Sequence, residues 1–377
     1  MKEIYLDHAA TTKQDIVVSD KMIDTINHYG NPSSIYKIGM EAKDQINHAR
    51  ELIAENINAS PEEIFFTSGG SESNNWAIKG VVMNNFHNDN HIITSCIEHP
   101  SIINTCKYLE GKLCGVTYLP VNKEGIVDIS NLEEEIRYNT RLISVMMVNN
   151  ELGTIQPIKE IAKIAKKNDV YFHTDAVQAA GNMKIDVEEL GVDMLSMSAH
   201  KFNGPKGVGV LYIKKGTQID NLIHGGGQEF GNRAGTENTP AIVGMATALE
   251  FASKHRNINN EQCACLRDMF IHRLKEAIPE VKINGSMKYR TSNNASVTFP
   301  YIEAESLLLM LNQEGIYCSA GSACSAGKND ASYVLKAIGL TDEEARRTLR
   351  FTFGEDNNSG DVMYTVEMLK CIIDRFR

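Results

Sequence analysis

One lysine stands out because of the residues around it. Lys201 closes the run Ser-Met-Ser-Ala-His-Lys, in which a predicted strand, residues 193–197, leads into a turn of small residues. A lysine that the fold holds away from water can act as a nucleophile and form a Schiff base with a carbonyl cofactor. Most lysines are solvated surface charges, so this interpretation depends on the residues that share the site.

Two other segments carry groups that suit a phosphorylated, aromatic cofactor. Gly70 and Ser71 lie between the predicted strand 64–67 and a helix predicted from Glu72, where backbone N–H groups and a hydroxyl can face a phosphate. Asp175 and Gln178 follow a later buried strand, where the carboxylate can pair with a protonated ring nitrogen and the amide with a phenolate oxygen. Each residue also has a plainer explanation: an N-cap turn for Gly70 and Asp175, and a solvent-facing amide for Gln178.

Histidine and asparagine follow two more predicted strands. His99 comes after residues 91–95, and a histidine there can stack on a flat cofactor, relay protons near neutral pH or be purely structural. Asn149 comes after residues 142–148, and its amide can hold a polar group of a ligand or simply form a turn. Because the carboxyl ends of parallel strands line one crevice, we expect these residues to meet Lys201 there with complementary roles.

Three further residues lie in the second half of the chain. Cys324 has only small neighbours in residues 319–327, so its thiol is expected to be exposed and reactive rather than a buried structural cysteine. Arg350 lies in a strand pattern between apolar residues, and a buried arginine needs an anionic partner such as a substrate carboxylate. Thr236 belongs to a polar, glycine-rich stretch before a helix, which alone indicates only a surface loop.

Hydrophobic periodicity predicts the elements that position these residues. Apolar strands alternate with amphipathic helices up to residue 255, which predicts an α/β fold with a mostly parallel sheet and helices on both sides. Shorter units then predict a smaller α+β domain, so residues 14–255 form the large domain and residues 1–13 plus 256–377 the small one. The other elements predicted are a helix over 241–255, a helix over 261–277, and a strand over 4–6 that pairs with the small domain.

The bulk composition argues against several classes of protein. The 377 residues carry a net charge of −10 with no block of lysine and arginine, which argues against nucleic-acid binding. No apolar run reaches the ~20 residues of a membrane span, and the first residues lack the apolar core of a signal peptide. Eight cysteines without such a signal indicate reduced thiols and a cytoplasmic location. No cysteine or histidine pairs stand together at zinc-ligand spacing, so no metal site is predicted.

Taken in order, these segments resemble the NifS/IscS-type cysteine desulfurases, which are class-V aminotransferases and fold-type I enzymes of pyridoxal 5′-phosphate. The resemblance runs from residue 5 to about residue 354, and its motifs are specific as an ordered set. They are residues 5–12, 30–34, 66–75, 98–100, 149–151, 175–178, 198–201, 233–238, 321–324 and Arg350. The resemblance implies a large domain with a seven-stranded, mostly parallel sheet sandwiched by helices, and a small domain that carries the cysteine loop.

The resemblance also implies a role for each matching residue. Lys201 would bind the cofactor, L-cysteine would be the substrate, and Cys324 would take its sulfur as a persulfide, leaving L-alanine. Arg350 would bind the substrate carboxylate with help from Asn149, and His99 would stack on the ring and move protons. The cofactor would be held by Asp175, Gln178, Asn149, Gly70, Ser71, Ser198 and His200, and by Thr236 of the second subunit of a homodimer.

The resemblance leaves the sulfur acceptor and two alternatives open. The acceptor would be a scaffold protein for iron–sulfur clusters or a tRNA-thiolation enzyme, and proteins of thiamine or molybdopterin synthesis also remain open. A selenocysteine lyase is the alternative enzyme, and a sulfur-carrier component that keeps the cofactor as a relic is the alternative from another class. The chain also departs from the family pattern, because Gly70 and Ser71 replace the common Ala-Thr and Tyr36 replaces a common histidine.

Overall fold

The structure is a computed structural model that describes residues 3–85, 89–320 and 331–377. Its strands, in chain order, are β1 Ile4–Tyr5, β2 Ile64–Thr67, β3 Asn90–Ser95, β4 Cys114–Leu119, β5 Thr140–Ser144, β6 Tyr171–Asp175, β7 Met194–Ser198, β8 Gly209–Ile213, β9 Lys282–Asn284, β10 Asn294–Thr298, β11 Ile316–Tyr317, β12 Ser319–Ala320 and β13 Thr348–Thr352. Its α-helices are α1 Ile16–Ile26, α2 Lys37–Ile57, α3 Gly70–Asn84, α4 Pro100–Leu109, α5 Ile129–Glu135, α6 Ile158–Lys167, α7 Val187–Leu190, α8 Thr239–Ala277, α9 Ala304–Gln313, α10 Tyr333–Ala337, α11 Asp342–Arg346 and α12 Ser359–Asp374.

Seven strands form the central sheet, in the order β2-β8-β7-β6-β5-β3-β4. Neighbours from β7 to β4 pair in parallel, whereas β8 pairs antiparallel with both β7 and β2. Parallel neighbours need crossover connections, and α4 supplies one between β3 and β4 while α6 lies between β5 and β6. The predicted α/β architecture with a mostly parallel sheet is therefore confirmed.

Successive residues of these strands divide between the two faces of the sheet, as a side-chain period of two requires. Phe66 and Ile93 belong to one apolar cluster, while their neighbours Phe65 and Ile92 join a second cluster that contains Trp76. Because both faces are covered, the crevice at the carboxyl ends of the strands is where polar side chains from several strands can meet.

A smaller unit is built on an antiparallel sheet in the order β12-β13-β10-β9. Its core packs the ring of Phe270 4.8 Å from that of Phe351 and 5.7 Å from that of Phe353. Strand β1 pairs in parallel with β11, so the predicted pairing of the first strand with this unit is confirmed. The division of the chain at residues 13 and 255 stays a prediction.

Helix α8 corrects one expectation about this division. The two helices predicted over 241–255 and 261–277 are a single helix of 39 residues. Residues 256–260 contain neither glycine nor proline, so nothing in them forces the backbone out of the helix. The first half of α8 packs into the core of the seven-stranded sheet and the second half into the core of the smaller unit.

No helix within the described ranges has the length and apolarity needed to cross a membrane.

Candidate active site

A cavity of about 720 Å³ opens at the carboxyl ends of the central strands. It gathers most of the residues singled out in the sequence, although they are far apart along the chain. The predicted residues that line it are Gly70, Ser71, His99, Asp175, Gln178, Ser198, His200, Lys201 and Arg350. A cavity of this size accommodates a small-molecule ligand.

Lys201 reaches the cavity from the turn that follows β7. A short 3-10 helix, Ala199–Lys201, takes the chain sharply out of the sheet and leaves the lysine half-buried. Its Nζ donates to the carbonyl oxygen of Ala9 at 2.6 Å and to that of Ala10 at 2.7 Å. The amine is therefore oriented by main-chain acceptors at the wall of the cavity.

Asp175 ends β6 and is fixed on both carboxylate oxygens. Its Oδ1 accepts from the N–H of Val177 at 2.9 Å, and its Oδ2 accepts from Nδ2 of Asn74 at 2.7 Å. Asp175 is only 5% exposed, so these donors replace water in stabilising its charge. The result is a buried carboxylate that is well placed to pair with a cationic group of a ligand.

His99 is linked to Asp175 through two intermediate side chains. Nδ2 of Asn74 also donates to the hydroxyl of Ser101 at 2.9 Å, and that hydroxyl lies 2.8 Å from Nδ1 of His99. The backbone N–H of Ser101 points at the same nitrogen at 3.1 Å, so Nδ1 accepts and the proton of the neutral ring is on Nε2. Burial lowers the pKa of His99, as does Lys201, while Asp175 opposes the shift.

The start of α3 has the geometry of an anion site. Gly70 is the first helical residue, and a Cβ built on it would lie 2.7 Å from a methyl carbon of Val177, so a larger residue would be crowded. Ser71 and Ser198 line the cavity beside it. N–H groups at a helix N-terminus have no intrahelical acceptor and attract phosphate oxygens.

His200 completes this side of the cavity. Burial, together with the neighbouring charges of Lys201 and Lys206, lowers the pKa of His200 to about 4. Its Nδ1 lies 3.2 Å from the hydroxyl of Thr11. The imidazole is therefore neutral at physiological pH and can contribute one N–H donor.

Arg350 comes from β13 in the smaller unit and reaches the opposite wall. Its Nη1 donates to the carbonyl oxygen of Asn150 at 2.8 Å, and its Nη2 donates to Oδ1 of Asp7 at 2.7 Å. Nε is buried and has no hydrogen-bond partner among the described residues. The predicted anionic partner thus exists within the chain as Asp7, which we had not singled out.

The predicted role of Asn149 at the cofactor and substrate stays a prediction. Asn149 is fully buried, and its amide is committed to the local turn: Nδ2 donates to Ile97 O, and Oδ1 accepts from the N–H groups of Glu151 and Leu152. The residue that lines the cavity is its neighbour Asn150. Strand β5 ends at Ser144, so the predicted end of this strand at residue 148 was four residues too late.

The roles of Thr236 and Cys324 stay predictions for two different reasons. Thr236 is exposed and does not line it within one chain, so its predicted role in a second subunit stays a prediction. Cys324 lies outside the described residues, and its role stays a prediction as well.

The main contribution that we missed comes from residues 5–12, here called the N-terminal segment. The carbonyl oxygen of Ala9 accepts from Lys201 and also from Nε2 of Gln178, at 2.9 Å. The hydroxyl of Tyr5 donates to the carbonyl oxygens of Asp7 and Thr11 and so holds the segment together. The segment matched a family motif, but its main-chain acceptors leave no chemical signal in the sequence.

Two buried carboxyls at the strand ends were also missed. Burial raises the pKa of Glu98 to about 8, although the hydroxyl of Ser95 and the N–H of Met146 donate to it. Burial likewise raises the pKa of Glu151 to about 7, against a hydrogen bond of 2.6 Å from the hydroxyl of Ser332. Such groups can carry a proton near neutral pH, but a glutamate gives no sign of its burial in the sequence.

Comparison with known proteins agrees with this geometry. Residues 4–364 match the family Aminotransferase class-V. Cysteine desulfurase IscS of Methanosarcina thermophila is 50% identical over 377 residues, which cover 100% of this chain and 93% of the relative. The solved structure of a NifS-like protein has a TM-score of 0.93 at 38% identity and covers 99% of this chain and 100% of its own. Another, SspA in complex with cysteine, has a TM-score of 0.83 at 38% identity, covering 94% and 99%.

Proposed function

Since the chain belongs to the class-V aminotransferase family, we propose that its cavity takes sulfur from L-cysteine with the help of pyridoxal 5′-phosphate. The chain is a cysteine desulfurase of the NifS/IscS type, and the alternative of a selenocysteine lyase is not favoured, because its relatives are named for cysteine. The observation that carries the proposal is a single cavity lined by Lys201, Asp175 and Arg350.

The residues at the cavity fit the cofactor. Asp175 is a buried carboxylate that lines the same cavity as the amine of Lys201. Gly70 leaves space at the N-terminus of α3, because a Cβ at this position would contact Val177. We infer that Lys201 binds the aldehyde and Asp175 the ring nitrogen, while Gln178 and Asn149 lie near the ring oxygen. The phosphate would be held by Gly70, Ser71, Ser198 and His200, with Thr236 of the second subunit. When bound, the cofactor withdraws electrons from the Cα of an amino-acid substrate.

The side chains around the cavity have different proposed roles in binding the substrate and moving protons. Arg350 binds the substrate carboxylate with help from Asn149, and Asn150 lines the wall beside it. With the cofactor bound, the Nζ of Lys201 would take the proton from the substrate Cα. His99, neutral and protonated on Nε2, stacks on the ring and moves protons at the cavity.

Cys324 is the proposed sulfur acceptor within the protein. Its thiolate attacks the substrate sulfur, a sulfur–sulfur bond forms, and the bond between sulfur and Cβ breaks with its electrons left on the substrate. Protonation of Cβ then gives L-alanine, and Cys324 carries the persulfide. The persulfide sulfur passes to an acceptor protein, which is an iron–sulfur scaffold or a tRNA-thiolation enzyme.

A homodimer is part of this proposal. Apolar side chains between α1 and α2 are largely exposed in the single chain, with Tyr29 84% and Ile35 94% accessible. Apolar surface of this kind, together with Ile16, Ile23 and Ile26, is typical of an interface. We propose that a second copy covers it and brings its Thr236 to this cavity, and that the dimer works in the cytoplasm.

The test is the product pair formed from L-cysteine and a reductant. The wild-type holoenzyme should release alanine and sulfide in equal amounts, and Cys324→Ala should lower both by at least ~10³-fold while keeping the visible absorption of the bound cofactor. Cys371→Ala is the matched control, because this thiol is exposed and does not line the cavity. A Cys324→Ala enzyme as fast as the wild type would refute the role of Cys324.

A further inference from the structure

Asp7 and Arg350 form an ion pair at the edge of the cavity. Nη2 of the arginine lies 2.7 Å from Oδ1 of the aspartate, and the side chains are only 5% and 18% exposed. The guanidinium also donates from Nη1 to the carbonyl oxygen of Asn150. In the absence of substrate the buried positive charge of Arg350 is thus already compensated by the protein.

The position of Asp7 matters because of how arginine binds a carboxylate. A guanidinium holds a carboxylate with two parallel N–H groups, either from Nη1 and Nη2 or from Nε and Nη2. Both arrangements use Nη2, which is the atom that Asp7 contacts. A substrate carboxylate that approaches Arg350 from the cavity therefore finds the carboxylate of Asp7 already bound to Nη2. The two negative charges would lie next to each other and repel.

The backbone on both sides of Asp7 is firmly held. The N–H of Leu6 donates to Tyr317 O at 2.7 Å, and the N–H of Thr352 donates to Leu6 O at 2.8 Å. On the other side, the N–H of Ala9 donates to the hydroxyl of Thr352 at 2.9 Å. Asp7 can consequently give up Arg350 through its side chain alone, without unfolding the N-terminal segment.

We propose that Asp7 is an internal competitor for the substrate carboxylate at Arg350 and so determines which anions the site accepts. This inference rests on the proposed function, in which Arg350 binds the carboxylate of L-cysteine. An anion that contacts one N–H gains little by replacing Asp7, whereas a carboxylate that spans two N–H groups gains enough to displace it. Asp7 lowers the affinity for every anion, and it thereby favours those with two coplanar oxygens.

Removing the charge of Asp7 is expected to lower the KM for L-cysteine. In Asp7→Asn the neutral amide keeps the shape of the side chain but no longer competes as an anion, so the KM for L-cysteine should fall by about three- to tenfold. The kcat should stay the same or fall, because Arg350 also loses a group that orients it. Asp7→Glu restores the competing charge and should return KM toward the wild-type value. Asp356→Asn is the charge-matched control, because Asp356 is exposed and lies 4.0 Å from Lys13.

A second measurement separates competition from a general disturbance of the cavity. The inhibition constant of cysteamine, which has the thiol and amine of cysteine but no carboxylate, should be the same in Asp7→Asn and the wild type. The increase in the thermal midpoint of the holoenzyme caused by L-alanine should be larger in Asp7→Asn. This binding readout does not depend on turnover.

The outcomes are distinct from those of the proposed function. A wild-type enzyme that forms no alanine from L-cysteine refutes the proposed function, whatever Asp7 does. An active wild type with an unchanged or raised KM in Asp7→Asn refutes the competition and leaves the desulfurase intact. If Asp7→Asn does not fold, Asp7→Ser provides the same test. An equal change in the cysteamine constant likewise overturns the proposal.

Discussion

The strand ends of the central sheet and the N-terminal segment serve the same cavity by different means. The strand ends present side chains, such as Asp175 and His99, which are fixed through Asn74 and Ser101. The N-terminal segment presents mainly carbonyl oxygens, to which Lys201 and Gln178 donate. Chemistry that resides in side chains can be inferred from residue types, whereas chemistry that resides in the backbone depends on where the chain runs.

The largest effect on stability is expected at Glu98, the buried carboxyl that follows β3. Its pKa in the folded protein, about 8, lies above that of an unfolded glutamate, so the folded state keeps a proton that the unfolded state loses. The contribution of Glu98 to the free energy of unfolding is therefore fully present below about pH 4.5, and it is lost as the pH rises to about 8. Glu98→Gln should remove this pH dependence of the free energy of unfolding, on the order of 4 kcal/mol.

Chemical denaturation between pH 5 and pH 8 measures this difference. Glu62→Gln is the control, because Glu62 is exposed and should leave the slope of the wild type unchanged. Parallel pH profiles for Glu98→Gln and the wild type would show that Glu98 is ionised rather than protonated in the folded protein.

A smaller effect is expected from Asn74, the link between Asp175 and Ser101. Asn74→Leu removes a buried donor to a carboxylate, which costs about 1.5–3 kcal/mol, or roughly 10- to 100-fold in affinity for pyridoxal phosphate. Ser101→Ala is the matched variant, because it keeps the contact with Asp175 and the N–H that faces His99. Titration of the apoprotein with the cofactor, followed by visible absorption, should rank Asn74→Leu well below Ser101→Ala. The reverse order would break the proposed link.

The smallest effect is expected in the N-terminal segment. Tyr5→Phe removes the hydrogen bonds to Asp7 O and Thr11 O and should lower the free energy of unfolding by about 1 kcal/mol. Tyr317 pairs with Tyr5 across the two strands, but its hydroxyl donates to the exposed Glu3, so Tyr317→Phe should cost less. Thermal unfolding of both variants checks this difference, and equal losses would mean that the segment is not held by Tyr5.

Some parts of the fold and the site could be predicted, and others could not, for physical reasons. The alternation of apolar strands and amphipathic helices predicts the central sheet, and it places His99, Asp175 and Lys201 at one edge of it. It does not fix where a strand ends, since β5 ends at Ser144, four residues before the predicted end at residue 148. It also says nothing of carbonyl acceptors such as that of Ala9, which any residue would supply equally well.

Burial is the other property that the sequence hides. Glu98 and Glu151 look like ordinary surface acids, and only the packing around them shows that they hold protons near neutral pH. The sequence predicts that Arg350 has an anionic partner, since a buried guanidinium needs one. It does not predict that this partner is Asp7, which lies more than 300 residues away along the chain. Contacts over such separations depend on tertiary structure and leave no local pattern.

Helix α8 has a consequence for how the protein unfolds. At a rise of 1.5 Å per residue its 39 residues form a rod about 58 Å long, shared between two apolar cores. If either core unfolds, the half of α8 that packs on it loses its tertiary contacts. A helical segment of that half-length is only marginally stable in water without such contacts. Damage to one core is therefore transmitted to the other, and the two are expected to melt as one cooperative unit.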